Sequence, residues 1–198
     1  MIELLNEYQT TSRKTAEIYK PLDAFSIFTM GAGGERGELS ELIKKWVGHG
    51  HALSLTELTK EGGDALWYPS QICDLVELKL GVVWESVNYM PILRTYKDSN
   101  FTALQHAALD TVGMMEEASA MMFKYSRQLL TCEEPSPELW VIHQHIKANL
   151  IDFISGLKAL FILFDIDINE VVRVNNAKLA KRYQGEFSTK KSLKRVDV

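Results

Sequence analysis

Apolar residues recur at helical spacing through almost the whole chain, and this periodicity limits what the sequence can fold into more than any motif does. Leu39, Leu42, Ile43 and Trp46 form one such stripe, and Val171, Val174 and Leu179 another. This is the spacing of amphipathic helices, not the alternation of half-buried strands. The expectation is an all-α protein, a helical bundle. Pro21 suits the first turn of a second helix, and Gly48 and Gly50 mark the turn after it. The run "SLTE" at 54–57 has the Ser-x-x-Glu form of a capping box opening a third. That third helix is expected to run from about 55 to 90 and to absorb Pro69 with a kink. The polar "KDSN" at 97–100 reads as a linker. A Met-rich helix near 101–130 follows, then a break at "EEPSPE", helices near 137–164 and 168–184, and a basic tail at 185–198.

A chain of 198 residues with 46% hydrophobic content can bury a sizeable core. Its net charge of −4 argues against a nucleic-acid polymer as partner, because phosphate-tracking surfaces need clustered Lys and Arg. Cys73 and Cys132 fit a reducing cytoplasm as thiols rather than a disulfide. The start "MIELLNEYQ" lacks a cationic leader, and the most apolar run, "LFILF", is far shorter than a membrane span. A cytoplasmic protein without a membrane partner is expected.

A weak internal repeat is visible. "GERGELSELIKKW" (34–46) can be laid on "GMMEEASAMMFKY" (113–125), "EGGD" (61–64) on "NLID" (149–152), and "LGVVWESV" (80–87) on "FDIDINEV" (164–171). Glu38 and Asp64 then find Glu117 and Asp152, whereas Glu41 faces Ala120 and Glu61 faces Asn149. One half keeps four acids and the other two.

Those four acids are the chemical signal. Positions three apart differ by about 60° around a helix, so Glu38 and Glu41 project side by side, as do Glu61 and Asp64. Glu35 stands one step upstream. Antiparallel helices joined near 48–53 would bring the four carboxylates into one groove, where they repel unless a cation intervenes. Oxygen ligands without His or Cys suit Mg²⁺ or Mn²⁺ rather than Zn²⁺. A ferritin-type di-iron site would want Glu-x-x-His pairs, which the chain lacks. "GAGGERG" is a poor phosphate loop, since no Gly-Lys-Ser/Thr ends it and no strand precedes it. Its glycines are expected to form a bend that delivers the acidic helix.

"GERGELSE…EGGDALWY" resembles the Glu-x-x-Glu, spacer, Glu-x-x-Asp signature of the MazG-like all-α nucleotide pyrophosphohydrolases, a group that includes the dimeric-type dUTPases. "VNNAKLAKRYQGEFS" is similar to that family's closing segment and "YQTTSRKT" to its opening helix. The departures are the extra length between 90 and 150 and Pro91, which stands where the first repeat would need a counterpart of Asn175. The organisation implied is a tandem pair of MazG-like repeats, the first at 1–96 with the acidic metal site, a degenerate second at 101–184 packed against it, and the tail at 185–198. An insertion into one domain is the alternative.

The resemblance implies Mg²⁺-assisted hydrolysis of a free nucleoside triphosphate, most readily a dNTP, to the monophosphate and pyrophosphate, with Mn²⁺ able to substitute. Glu38, Glu41, Glu61 and Asp64 would be metal ligands, and Glu35, with Glu38, would serve the attacking water. Phosphate contacts would come from Asn175, Lys178, Lys181 and Arg182, with Lys44 and Lys45 beside the first acids; Trp67 could stack on the base. The first half would thus supply acids, and the second Asn and Lys, to one shared site. A dUTPase-type enzyme accepting dUTP and dUDP, and a non-catalytic helical bundle that binds nucleotide or a partner, are the competing readings. Association as a homodimer is left open.

Overall fold

The computed structural model describes residues 1–17, 19–94, 96–132 and 136–183. They form seven helices and no strand: α1 (Ile2–Arg13), α2 (Pro21–His49), α3 (Leu55–Leu75), α4 (Leu80–Ser86), α5 (Ala103–Leu129), α6 (Pro137–Leu163) and α7 (Ile168–Tyr183). The all-α expectation holds. The basic tail lies outside the described residues, and none of the described helices is long and apolar enough to cross a membrane.

Local chemistry sets the boundaries. Pro21 occupies the first turn of α2, where its missing N–H costs nothing. Gly50 ends that helix in the left-handed region at φ 69, its N–H returning to the Lys45 carbonyl. Ser54 caps α3 by accepting from the Glu57 N–H at 3.2 Å. Thr102 and Gln105 form a reciprocal capping box on α5, and Ser136 accepts from the Leu139 N–H to open α6.

Two expectations are corrected. The glycines of "GAGGERG" make no bend but lie inside the continuous 29-residue α2. At Gly31 the cause is a close approach from α3: a Cβ there would stand 2.0 Å from the Tyr68 ring. Nor does one helix run from 55 to 90. Helix α3 keeps Pro69 but stops at Leu75, Glu77 turns the chain at φ 58, and the Leu78 N–H reaches back to the Cys73 carbonyl at 2.8 Å. Asp165 turns the end of α6 in the same way at φ 52, with Ile166 N–H on the Phe161 carbonyl at 2.9 Å.

The helices assemble as two long hairpins, α2/α3 and α5/α6, with α2 packed along α5. The short closing helices cross over. Helix α7, which follows α6, packs on α3 and α1, whereas α4, which follows α3, packs on α1 and α6. One continuous core runs through both hairpins, with Phe28, Leu39 and Leu66 of the first and Met115, Met122 and Phe153 of the second fully buried. The crossover places α7 against the acidic face of α3. Gly63 makes that approach close, since a Cβ on it would stand 3.0 Å from the Asn175 Cβ.

Candidate functional site

Where α2, α3 and α7 meet, together with the segment after α1, they enclose a cavity of about 450 Å³. Its lining has three chemical sectors. Glu35 and Glu38 from α2 face Glu61 and Asp64 from α3. Lys60, Lys178 and Arg182 supply positive charge, and Tyr19, Phe28, Trp67, Tyr68 and Tyr183 supply aromatic surface.

Among the described residues, Glu35, Glu61 and Asp64 can each present a carboxylate oxygen such that the three oxygens lie within 4.8 Å of one another. Asp64 is the best anchored. One of its oxygens accepts from Asn175 Nδ2 at 2.9 Å and the other is ion-paired with the Lys178 ammonium. The crowding shows in proton affinity. Burial, then the charges of Asp64 and Glu38, with Glu61 adding and Lys178 opposing, push the Glu35 carboxyl up to about 7. Glu61 is raised as well, by burial first and then by Asp64 and Glu38, with Lys178 and Lys60 opposing.

The aromatic sector is held by packing and one polar anchor. Trp67 and Tyr68 meet edge to face at 4.8 Å, Phe28 stands edge-on to Trp67 at 5.9 Å, and Trp67 Nε1 donates to Thr15 Oγ1 at 3.1 Å.

The structure thus brings Glu35, Glu38, Glu61, Asp64, Trp67, Lys178 and Arg182 around one volume and puts Asn175 on Asp64 from behind. It places Glu41, Lys44, Lys45 and Lys181 elsewhere. Glu41 pairs with Lys44 and, at 3.5 Å, with Lys45, and Lys44 holds its carboxyl below the usual range. Helical geometry gives the reason. Ala32, Leu39 and Ile43 mark the buried stripe of α2; Glu35 flanks it, and each step of three residues turns about 60° further away, which carries Glu41 to the opposite side. Lys181 is exposed on α7, off the cavity. Sequence reasoning missed Lys60, Phe28, Thr15 and Tyr183, whose place in the lining depends on how the helices pack. The acids of the other hairpin, Glu117 and Asp152, lie at the surface; partial desolvation of the Asp152 carboxyl, then the nearby Glu117 charge, raise it.

The Glu35 shift has a consequence for stability. The carboxyl binds its proton more tightly in the folded chain than in the unfolded one. The metal-free fold is therefore favoured at low pH and loses that contribution as pH rises from about 4.5 through about 7. Discounted for partial exposure, the loss is about 1–2 kcal/mol. Thermal melts in chelator should show a Tm several degrees lower at pH 8 than at pH 5.5, and Glu35→Gln should flatten that slope. An unchanged slope in the variant would assign the pH dependence to another group.

No family model, curated protein or solved structure matches the chain. The fold and cavity define the class of protein by their own chemistry: an all-α bundle with an acid-lined, cation-flanked cavity.

Proposed function

We propose that this protein is a nucleotide pyrophosphohydrolase that converts a free nucleoside triphosphate, a dNTP for preference, to the monophosphate and pyrophosphate with Mg²⁺. The observation that carries this reading is the coexistence, in one cavity of about 450 Å³, of an oxygen-only acid cluster, lysine and arginine from α7, and an aromatic end. A hard divalent cation fits the donor set: three carboxylates converge without His or Cys, and burial, then the repulsion of the neighbouring acids, makes two of them hold their protons unusually tightly. Glu35, Glu61 and Asp64 would hold it. Bound there, Mg²⁺ would neutralise polyphosphate charge and acidify water.

The protein's own groups do the rest. Lys178, Arg182 and Lys60 stand on the cavity wall where phosphate oxygens need counter-charge. The Trp67 and Tyr68 edges bound the space left for a base. Glu38 faces the same volume and can take the proton of the water that attacks phosphorus as pyrophosphate leaves.

On this reading the two hairpins descend from a duplication. Asp64 and Asp152, Glu77 and Asp165, and Leu80 and Ile168 stand at one common offset, which moves the alignment of the closing segments by four residues and sets Val87, not Pro91, opposite Asn175. The crossed closing helices then let the second half complete the site of the first.

The test is to incubate the protein with each NTP and dNTP, and with dUDP, in Mg²⁺ and to resolve monophosphate, pyrophosphate and phosphate. Monophosphate and pyrophosphate in equal amounts, abolished by EDTA and restored by Mg²⁺ or Mn²⁺, is the expected result. Hydrolysis of dUDP as well as dUTP would mark the dUTPase type. Absence of turnover with either metal would leave a binding role, and full activity in EDTA would exclude the mechanism.

A further inference from the structure

Tyr8 lies on α1, outside the cavity lining, and is 1% exposed. Its hydroxyl donates to Asn175 Oδ1 at 2.8 Å, and the other end of that amide, Nδ2, donates to Asp64 Oδ1 at 2.9 Å. Asn175 is itself 1% exposed. The order of donors follows from the groups. An ionised Asp64 can only accept, so Asn175 must turn its nitrogen to it and its oxygen to Tyr8, which must then donate. Burial, aided by the Asp64 charge, raises the Tyr8 hydroxyl well above its ordinary pKa, so the proton that donates is always present.

Three helices are tied by this chain of two bonds, and the fit around it is close. Gly63 leaves just the room that the Asn175 side chain fills, with Nδ2 3.3 Å from where a Cβ would be. Nδ2 on Oδ1 and the Lys178 ammonium on the second oxygen hold the Asp64 carboxylate from two sides, at the cavity wall. Without the Tyr8 hydroxyl, Asn175 Oδ1 would be buried and unpaired, and no bond on the α1 side would hold the amide against rotation away from Asp64.

We infer that Tyr8 is a positioning residue for the metal ligand Asp64, acting through the Asn175 amide. The inference rests on the proposed function, since it takes Asp64 to hold a divalent cation. Asn175 stands one bond behind the ligand and Tyr8 one bond further back; hydrogen-bond partners behind a ligand fix its orientation and so its affinity for the ion.

The experiment is a titration of chelator-treated protein with MnCl₂, free Mn²⁺ being read by electron paramagnetic resonance, for wild type, Tyr8→Phe, Asn175→Ala and the double variant. Phenylalanine keeps the ring that packs the core, and circular dichroism with thermal melts establishes that each variant is folded. The expected result is a Kd for Mn²⁺ about three- to tenfold weaker in Tyr8→Phe. In the Asn175→Ala background, Tyr8→Phe should add nothing further, because the hydroxyl then has no amide to orient. Tyr8→Phe that lowers Tm but leaves the Mn²⁺ Kd at the wild-type value would overturn the inference while leaving the metal site standing. Equal weakening by Tyr8→Phe with and without Asn175 would also overturn it. Failure of the wild type to bind Mn²⁺ would remove the metal reading itself and this inference with it.

Discussion

Glu35→Gln should lower kcat/KM by at least about a thousandfold, while Glu41→Gln should stay within about threefold of wild type. The first acid sits with Glu61 and Asp64 at the crowded end of the cavity, and the second lies across the helix, paired with Lys44 and Lys45. Loss of a charged ligand from a metal-assisted phosphoryl transfer costs several kcal/mol of transition-state stabilisation, and each 1.4 kcal/mol is tenfold in rate. The metal-free Glu35→Gln protein should melt at or above the wild-type temperature near pH 8, because the substitution removes a repelled charge and no core contact. Steady-state kinetics beside thermal melts separate loss of chemistry from loss of fold. A damaging Glu41→Gln and a benign Glu35→Gln would shift the metal ligands one step along α2, to the pair that the signature alone favours.

Lys178→Ala should reduce kcat/KM by about ten- to a hundredfold, and Glu117→Gln should leave it nearly intact. Lys178 is paired with Asp64 inside the cavity, whereas Glu117 is exposed on the other hairpin. A triphosphate that takes over the ammonium gains a charge-assisted contact and frees an Asp64 oxygen for the cation. The loss should therefore appear in KM for nucleotide more than in the fold. Kinetics across a nucleotide titration at saturating Mg²⁺ checks this. A Glu117→Gln variant as impaired as Glu38→Gln, with Lys178→Ala harmless, would mean that both hairpins bind metal and that no shared site exists.

Much of the helix plan was legible because single residues enforce it. Pro21 is well suited to the first turn of a helix, Ser54 satisfies one of the first N–H groups of α3, and Gly50 takes the left-handed turn that most residues avoid. The break after α3 was not legible. "VELKL" keeps apolar spacing and holds neither Gly nor Pro, and the positive φ falls on Glu77, a residue type seldom found there. The glycines of α2 misled for a different reason: Gly31 answers to Tyr68, a residue of another helix, and local sequence carries no trace of that contact.

In the site, three of the four predicted acids, Glu38, Glu61 and Asp64, could be brought together from spacing, and the contribution of α7 followed from the resemblance of its segment. The choice between Glu35 and Glu41 could have been too. Measuring each acid's angle from the Ala32, Leu39, Ile43 stripe, instead of its fit to a spacing signature, separates them. Tyr8 could not. Within "LLNEYQT" it is one more apolar-helix residue, and only the crossing of α1 with α7 gives its hydroxyl a partner.

The crossover of the closing helices also bears on how the molecule comes to be assembled. Asp64 and Asn175 are 111 positions apart, and Tyr8 and Asn175 are 167 apart. Loops this large must be closed before their contacts give anything back, which places the bundle at higher contact order than two hairpins each sealed by its own helix. On the ribosome the acids of α2 and α3 emerge more than a hundred residues ahead of the Asn and Lys that steady them. Through that interval the nascent first hairpin presents an uncompensated acidic face and an uncovered apolar one. The order of synthesis thus separates making the cavity's acids from making the cavity.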